Sequence, residues 1–394
     1  VTDLPLSEGA SEPSEAAQAG ESPPGPRRWI ISPGVDLAML GIPALFTLLA
    51  LQLENPREVP LWAFLFLVVA FDVAHVWATV YLSYLDTAAL RRRRLLFLLP
   101  VPLTILVGFR LHLHSPILFW TLMAYVAIHH FVSQQWGFVA LYKLRGQERG
   151  PLDRYLDKWT LYAGAFGPIL LWHTYEHATF DWFGHGERFL FTLPPELRVD
   201  ILAGMGAFAA LYLARQAWQA SQGRLNVGKN LWMLAAWVSW SLGVAMVDHP
   251  LVALACINLL HGIPFLVLVW WRLRGNWGGR SSVDRAGSPL VSWVAGSEPK
   301  DAADAARQSR WVRRFGLLAL FYVPLLVLGL AEEGLWEGLV WGNYLPRFRE
   351  FSHAQLSLIV AVLATPQIVH YFLDAWLWKL DGSNPDFERA LKRL

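Results

Sequence analysis

The stretch SPILFWTLMAYVAIHHFVSQQWGFVALY, residues 115–142, contains no Asp, Glu, Lys or Arg. A helix that crosses the hydrocarbon core of a bilayer needs about 20 mainly apolar residues, and this run is longer. It reads as a transmembrane helix carrying two adjacent histidines, His129 and His130, near its middle. Working outward, nine further runs have the same character: 35–53, 61–86, 94–110, 156–176, 199–220, 229–248, 250–273, 314–331 and 353–379. The sequence thus predicts an all-α, polytopic integral membrane bundle of about ten transmembrane helices.

Composition agrees. Charged residues are 16% of the 394 and hydrophobic ones 55%, against about 25% charged in soluble domains. Mean hydropathy is +0.34. The 21 Trp fit rings anchored at headgroup level. A single cysteine, Cys256, excludes an intrachain disulfide and any thiolate-built zinc or iron–sulfur site. A net charge of +2 without a basic stripe excludes nucleic acid as a partner.

Charge placement supplies an independent check on the spans. With both termini cytoplasmic, only Arg57, Arg110, Arg188, Arg198, Arg347 and Arg349 of the 33 Lys and Arg fall outside, as the positive-inside rule requires. One miscounted span would scramble that alternation. The expected location is the bacterial inner membrane. Residues 1–26 are too poor in apolar side chains to fold and are expected to be a disordered tail. Residues 27–394 are expected to form one membrane domain with a flexible cytoplasmic loop at 275–312. Arg91 to Arg94, directly after the second span, are expected to fix orientation and to touch anionic lipid.

Within this apolar frame stand five histidines: His75, His129, His130, His261 and His370. Ionisable groups inside a membrane are costly and mark function by default. In the predicted topology their four helices run in the same direction. At about 1.5 Å per residue, the histidine depths agree within roughly 10 Å. Each also has a polar neighbour one turn away: Asp72, Gln134, Asn258, Gln367 and Asp374. Positions i,i+3 and i,i+4 share a helix face, so the amides Gln134, Asn258 and Gln367 are expected to orient imidazoles around a metal. Asp72 and Asp374 are expected to complete the ligand shell or to relay protons. Adjacent residues sit about 100° apart on a helix, so one of His129 and His130 is expected to face the centre, or each to serve a different metal. Isolated histidines of this kind would otherwise merely bridge helices.

Imidazoles with one or two carboxylates suit iron, zinc, copper or manganese. This set resembles the ligand chemistry of membrane non-haem diiron oxygenases, although the H-x-x-x-H and H-x-x-H-H boxes of those enzymes are absent. The stretches HHFVSQQWGF (129–138), INLLHGIPFLVLVWW (257–271) and HYFLDAWLWK (370–379) are also similar to a poorly characterised group of bacterial multi-pass membrane proteins, which implies shared site residues rather than a reaction. The expected function is a membrane metal-dependent oxidoreductase. It would hold iron, mono- or dinuclear, and act on a lipid or other hydrophobic substrate with electrons from a donor protein. The alternatives are a zinc hydrolase of membrane lipids, a transporter or proton- or metal-conducting protein, and a single b-type haem between two imidazoles. His173, Glu176 and His177 match H-x-x-E-H at the outer end of the fifth span, where ordinary exposed histidines are the simpler reading.

Overall fold

A computed structural model describes residues 28–56, 59–175, 189–278 and 310–379. The tail at 1–26 lies outside the described residues, as does most of the loop expected at 275–312. At both ends of that loop the chain is helical, through Leu259–Gly278 and Arg310–Trp336. Among the described residues every regular element is a helix and no strand occurs.

In chain order the long helices are α1 (Pro33–Ala50), α2 (Leu61–Leu82), α3 (Arg94–His114), α4 (Pro116–Arg145) and α5 (Pro151–Trp172). They continue with α6 (Leu197–Ser221), α7 (227–246), α8 (Pro250–Leu273), α9 (Gly316–Trp341) and α10 (His353–Leu377). Eight of these, all but α5 and α7, are long and apolar enough to cross a membrane. α5 and α7 cover predicted spans too, but carry charge: Asp153, Arg154, Asp157 and Lys158 on the first, Lys229 on the second. The described residues form an all-helical fold of the integral membrane type.

Helix ends follow local chemistry. Ser115 precedes Pro116 and its side chain accepts from Leu118 N, starting α4. Ser352 and Gln355 form a reciprocal capping box at α10, which satisfies two backbone donors that a helix start leaves open. In the first turn of α1, the buried Asp36 carboxylate accepts from the backbone N–H of Ile30, Ile31 and Ser32 ahead of the helix.

Burial sorts the helices into layers. In the most apolar window of α8, 78% of residues are buried, against 6% for α6, so α8 is the axis and α6 the rim. Large apolar side chains on α6, such as Val199, Leu202, Leu211 and Leu213, point outward, as a lipid-facing helix requires. Trp usage departs from the interfacial expectation in part. Trp232 and Trp240 are fully buried, and their indole N–H groups donate to Gln135 O and Gln135 Oε1 at 3.2 and 3.0 Å, tying α7 to α4. In a medium without water such bonds replace solvent as partners.

At the end of the bundle where α4 gives way to α5, charges are paired rather than free. Lys143 on α4 and Lys229 on α7 are both buried and both reach Asp157 on α5. Lys229 Nζ also donates to Glu148 Oε2 at 2.7 Å. Arg215 grips Asp153 with two bonds, 2.7 and 3.1 Å. These hydrogen bonds hold the Asp153 carboxyl below its usual range despite partial burial. Read from sequence, these cations only set orientation; in the fold they also fasten helices α4 to α7 together.

Candidate metal centre

Two helices change pitch just before their histidines. In α2 the turns from Phe64 to Val73 are π-helical, and in α8 those from Leu254 to Asn258 are. Such widened turns are rare and cluster at functional sites. They end two residues before His75 and three before His261, so they re-aim these side chains relative to an unbroken α-helix. α2 and α8 also approach closely. A Cβ on Gly262 would lie 2.5 Å from Phe71 O, so only glycine fits between the backbones there.

This crossing, with α4 and α10 packed beside it, brings His75, His130, His261 and His370 together. One ring nitrogen from each lies within 4.8 Å of the other three, and all four residues are buried. The Nε2 atoms of His75 and His370 are 3.1 Å apart. Two nitrogens bound to one ion at about 2.0–2.1 Å lie roughly 2.9 to 3.3 Å apart when adjacent, so this pair already has the spacing of neighbouring ligands.

The buried nitrogens argue for a missing partner. His75 Nδ1, His130 Nε2 and both ring nitrogens of His261 have no hydrogen-bond partner. An unsatisfied buried polar atom costs about 1–3 kcal/mol, and native proteins tolerate few of them. His75 Nδ1 lies on the Asp72 side of its ring, but His130 Nε2 and the His261 ring stand unpartnered beside the His75–His370 nitrogen pair, a donor set that fits a cation, and neutral imidazole is the form that ligates.

Around the nitrogens the walls are aromatic. Phe131 stacks on His261 with ring centroids 3.8 Å apart. Tyr371 lies over His130 at 4.3 Å, and Phe265 meets His75 and His370 edge-on. Such walls exclude water.

The remaining predicted residues take other places. His129 is exposed and stands outside the group, because its neighbour His130 takes the inward face and 100° of helix rotation separates the two. Asp72 Oδ1 lies 3.6 Å from His75 Nδ1, and Asp374 Oδ1 lies 3.6 Å from His370 Nδ1. Both carboxylates therefore stand behind an imidazole rather than among the converging nitrogens. The three amides do not orient rings directly. Asn258 Nδ2 donates to Asp72 Oδ2 at 3.1 Å, Gln134 Nε2 to the His261 carbonyl at 2.7 Å, and Gln367 Nε2 to Tyr371 OH at 2.5 Å. They fix the carboxylate, the helix and the tyrosine around the centre.

Sequence reasoning missed Thr79. Its hydroxyl is 2.7 Å from His370 Nδ1 and 3.3 Å from Asp374 Oδ1, bridging the two. Its position one helical turn beyond His75 was the available signal. The aromatic walls were missed as well, since Phe131 and Tyr371 are immediate neighbours of His130 and His370 and their contacts are not spaced in sequence. At the outer end of α5, His173 is buried; its ring bonds Tyr125 OH and the Ile169 carbonyl. That use as a helix tie removes it from an H-x-x-E-H metal site; Glu176 and His177 lie outside the described residues.

No protein-family model, curated protein or solved structure matches this chain. Its chemistry is argued from its own residues.

Proposed function

We propose that this chain is a membrane metalloenzyme, spanning the bacterial inner membrane about ten times with both termini cytoplasmic, whose four-imidazole centre serves oxidative chemistry on a hydrophobic substrate. The observation that carries this reading is the convergence of four buried imidazoles inside an aromatic box, with His130 and His261 offering ring nitrogens that no protein group partners. His75, His130, His261 and His370 would hold the ion. Iron suits a nitrogen-rich site without thiolate, and when bound it would supply dioxygen chemistry.

The protein's own groups do the rest. With His370 Nε2 facing the centre, the proton sits on Nδ1 and is donated to Thr79 Oγ1, whose hydroxyl in turn faces Asp374 Oδ1. That chain fixes the tautomer and raises the basicity of the ligand. Asp72 stands in the same relation to His75 Nδ1 and is itself held by Asn258. Phe131, Phe265 and Tyr371 keep water from the centre, which suppresses side reactions. A b-type haem does not fit this arrangement. Two axial imidazoles flank a macrocycle, and the other two, within 4.8 Å, would occupy its plane.

A second reading rests on the same residues. Asp72, His75, His370, Thr79 and Asp374 form a nearly continuous line of titratable and hydroxyl groups, the layout of an intramembrane proton relay. Elemental analysis of the detergent-purified full chain, with an absorbance spectrum, separates the possibilities. Iron at one or two per chain is the expected result, and one zinc per chain would shift the reading to a hydrolase. A preparation with no stoichiometric metal would sink the metalloenzyme and leave the relay.

A further inference from the structure

A second feature lies on the opposite face of α10 from the buried His370 and Asp374. Arg91, Arg92, Arg93 and Arg94 line an open cleft of about 460 Å³ together with Leu95, Leu96 and Trp376 of α10. Lys379 adds a fifth cation, its Nζ lying 4.1 Å over the Trp376 ring. From this cationic end two apolar ladders run away along neighbouring helices. On α3 they are Leu95, Leu99, Leu103 and Val107, spaced by four and all exposed; on α10, Trp376 and Phe372 are exposed and Ile368 follows at the same spacing. Residues four apart share a helix face. The ladders meet again in a groove of about 320 Å³ lined by Leu103, Val107 and Ile368, with Phe119, Met123 and Val126 of α4. Between Trp376 and Ile368 the run is roughly 12 Å, the depth from a headgroup to the middle of an acyl chain.

We infer that the cleft between α3 and α10 is a binding site for an anionic phospholipid, its phosphate on Arg91–Arg94 and one acyl chain in the groove beside Ile368. Guanidinium groups grip phosphate oxygens two at a time, and an indole at the rim suits the glycerol level. The charge and the apolar track together specify a lipid: a free phosphate would have no use for the ladder, and a neutral lipid none for the arginines. The site rests on the membrane-spanning fold and stands apart from the metal reading, because it touches none of the four histidines.

The test is native mass spectrometry of the purified full chain, titrated with phosphatidylglycerol, phosphatidylcholine or inorganic phosphate. Phosphatidylglycerol is expected to bind at about one per chain, at least tenfold more tightly than phosphatidylcholine, and to resist displacement by millimolar phosphate. Arg93→Gln with Arg94→Gln should weaken it by roughly fivefold per guanidinium. Val107→Trp, which fills the groove but leaves the charges, should weaken it as well and guards against a misfolded arginine variant. Equal binding of the two lipids would overturn the inference, as would displacement of phosphatidylglycerol by phosphate. So would unchanged binding in both variants.

Discussion

The Nε2 atoms of His75 and His370 face each other at 3.1 Å, although 295 positions separate them in the chain. Neither ring can occupy this position without the packing of α2 against α10, so the pair is a product of the whole bundle. That distance suits two nitrogens on one ion and equally a single N–H···N bond, and the pair can be interrogated one residue at a time.

Replacing any of His75, His130, His261 or His370 by Ala should remove most bound metal while leaving membrane insertion intact. His129→Ala should keep full occupancy, because that ring is exposed and outside the group. Metal content per chain measured on the five variants decides it. Loss of metal in His129→Ala with retention in His130→Ala would reverse the assignment.

Thr79→Val keeps the shape of the side chain but removes the hydroxyl between His370 Nδ1 and Asp374. Loss of such an outer partner typically costs about 10–100-fold in metal affinity. A chelator competition series should show that drop, accompanied by a lower melting temperature because His370 Nδ1 loses its buried partner. An affinity equal to wild type would show that Thr79 has no positioning role.

At Gly262, alanine would press a methyl group against Phe71 O and push α2 and α8 apart. Overpacking of this kind costs about 1–3 kcal/mol. Both melting temperature and metal content should fall together, since the same crossing sets the distance between His75 and His261. A variant that loses stability but keeps full occupancy would show that the crossing does not position the centre.

The ion cluster should be separable from the site. Asp157→Asn leaves Lys143 and Lys229 sharing only Glu148, and removing one partner of a buried ion pair costs about 3–5 kcal/mol. A large fall in melting temperature is expected, with metal per folded chain preserved. Coincident loss of metal in the protein that remains folded would contradict this.

Asp153 gives a pH signature. Its carboxyl titrates below the usual range because Arg215 binds the charged form. A depressed folded pKa contributes stability that is fully present above the unfolded value near 4 and lost as pH falls through the folded value. The melting temperatures of wild type and Asp153→Asn should therefore differ by a few degrees at pH 6 to 8, and the gap should narrow progressively as pH falls below about 4. A gap that does not narrow at all as pH falls below 4 would place its origin elsewhere.

The helical class, the apolar spans and three of the four converging histidines were legible in the sequence alone, whereas His112, His173 and His249, read there as exposed, are buried. Length and the absence of charge in segments such as 115–142 leave no other way to satisfy the backbone in lipid. His75, His261 and His370 stood out because an imidazole in hydrocarbon is costly without a purpose. Which of His129 and His130 turns inward, and that Thr79 rather than an amide holds the second nitrogen of His370, depended on helix rotation and on the π-helical turns before His75 and His261. Those are set by how α2, α4, α8 and α10 pack against one another, through contacts such as Gly262 on Phe71 that join residues far apart in the chain. Local spacing records which face a residue shares, and only packing decides where that face points.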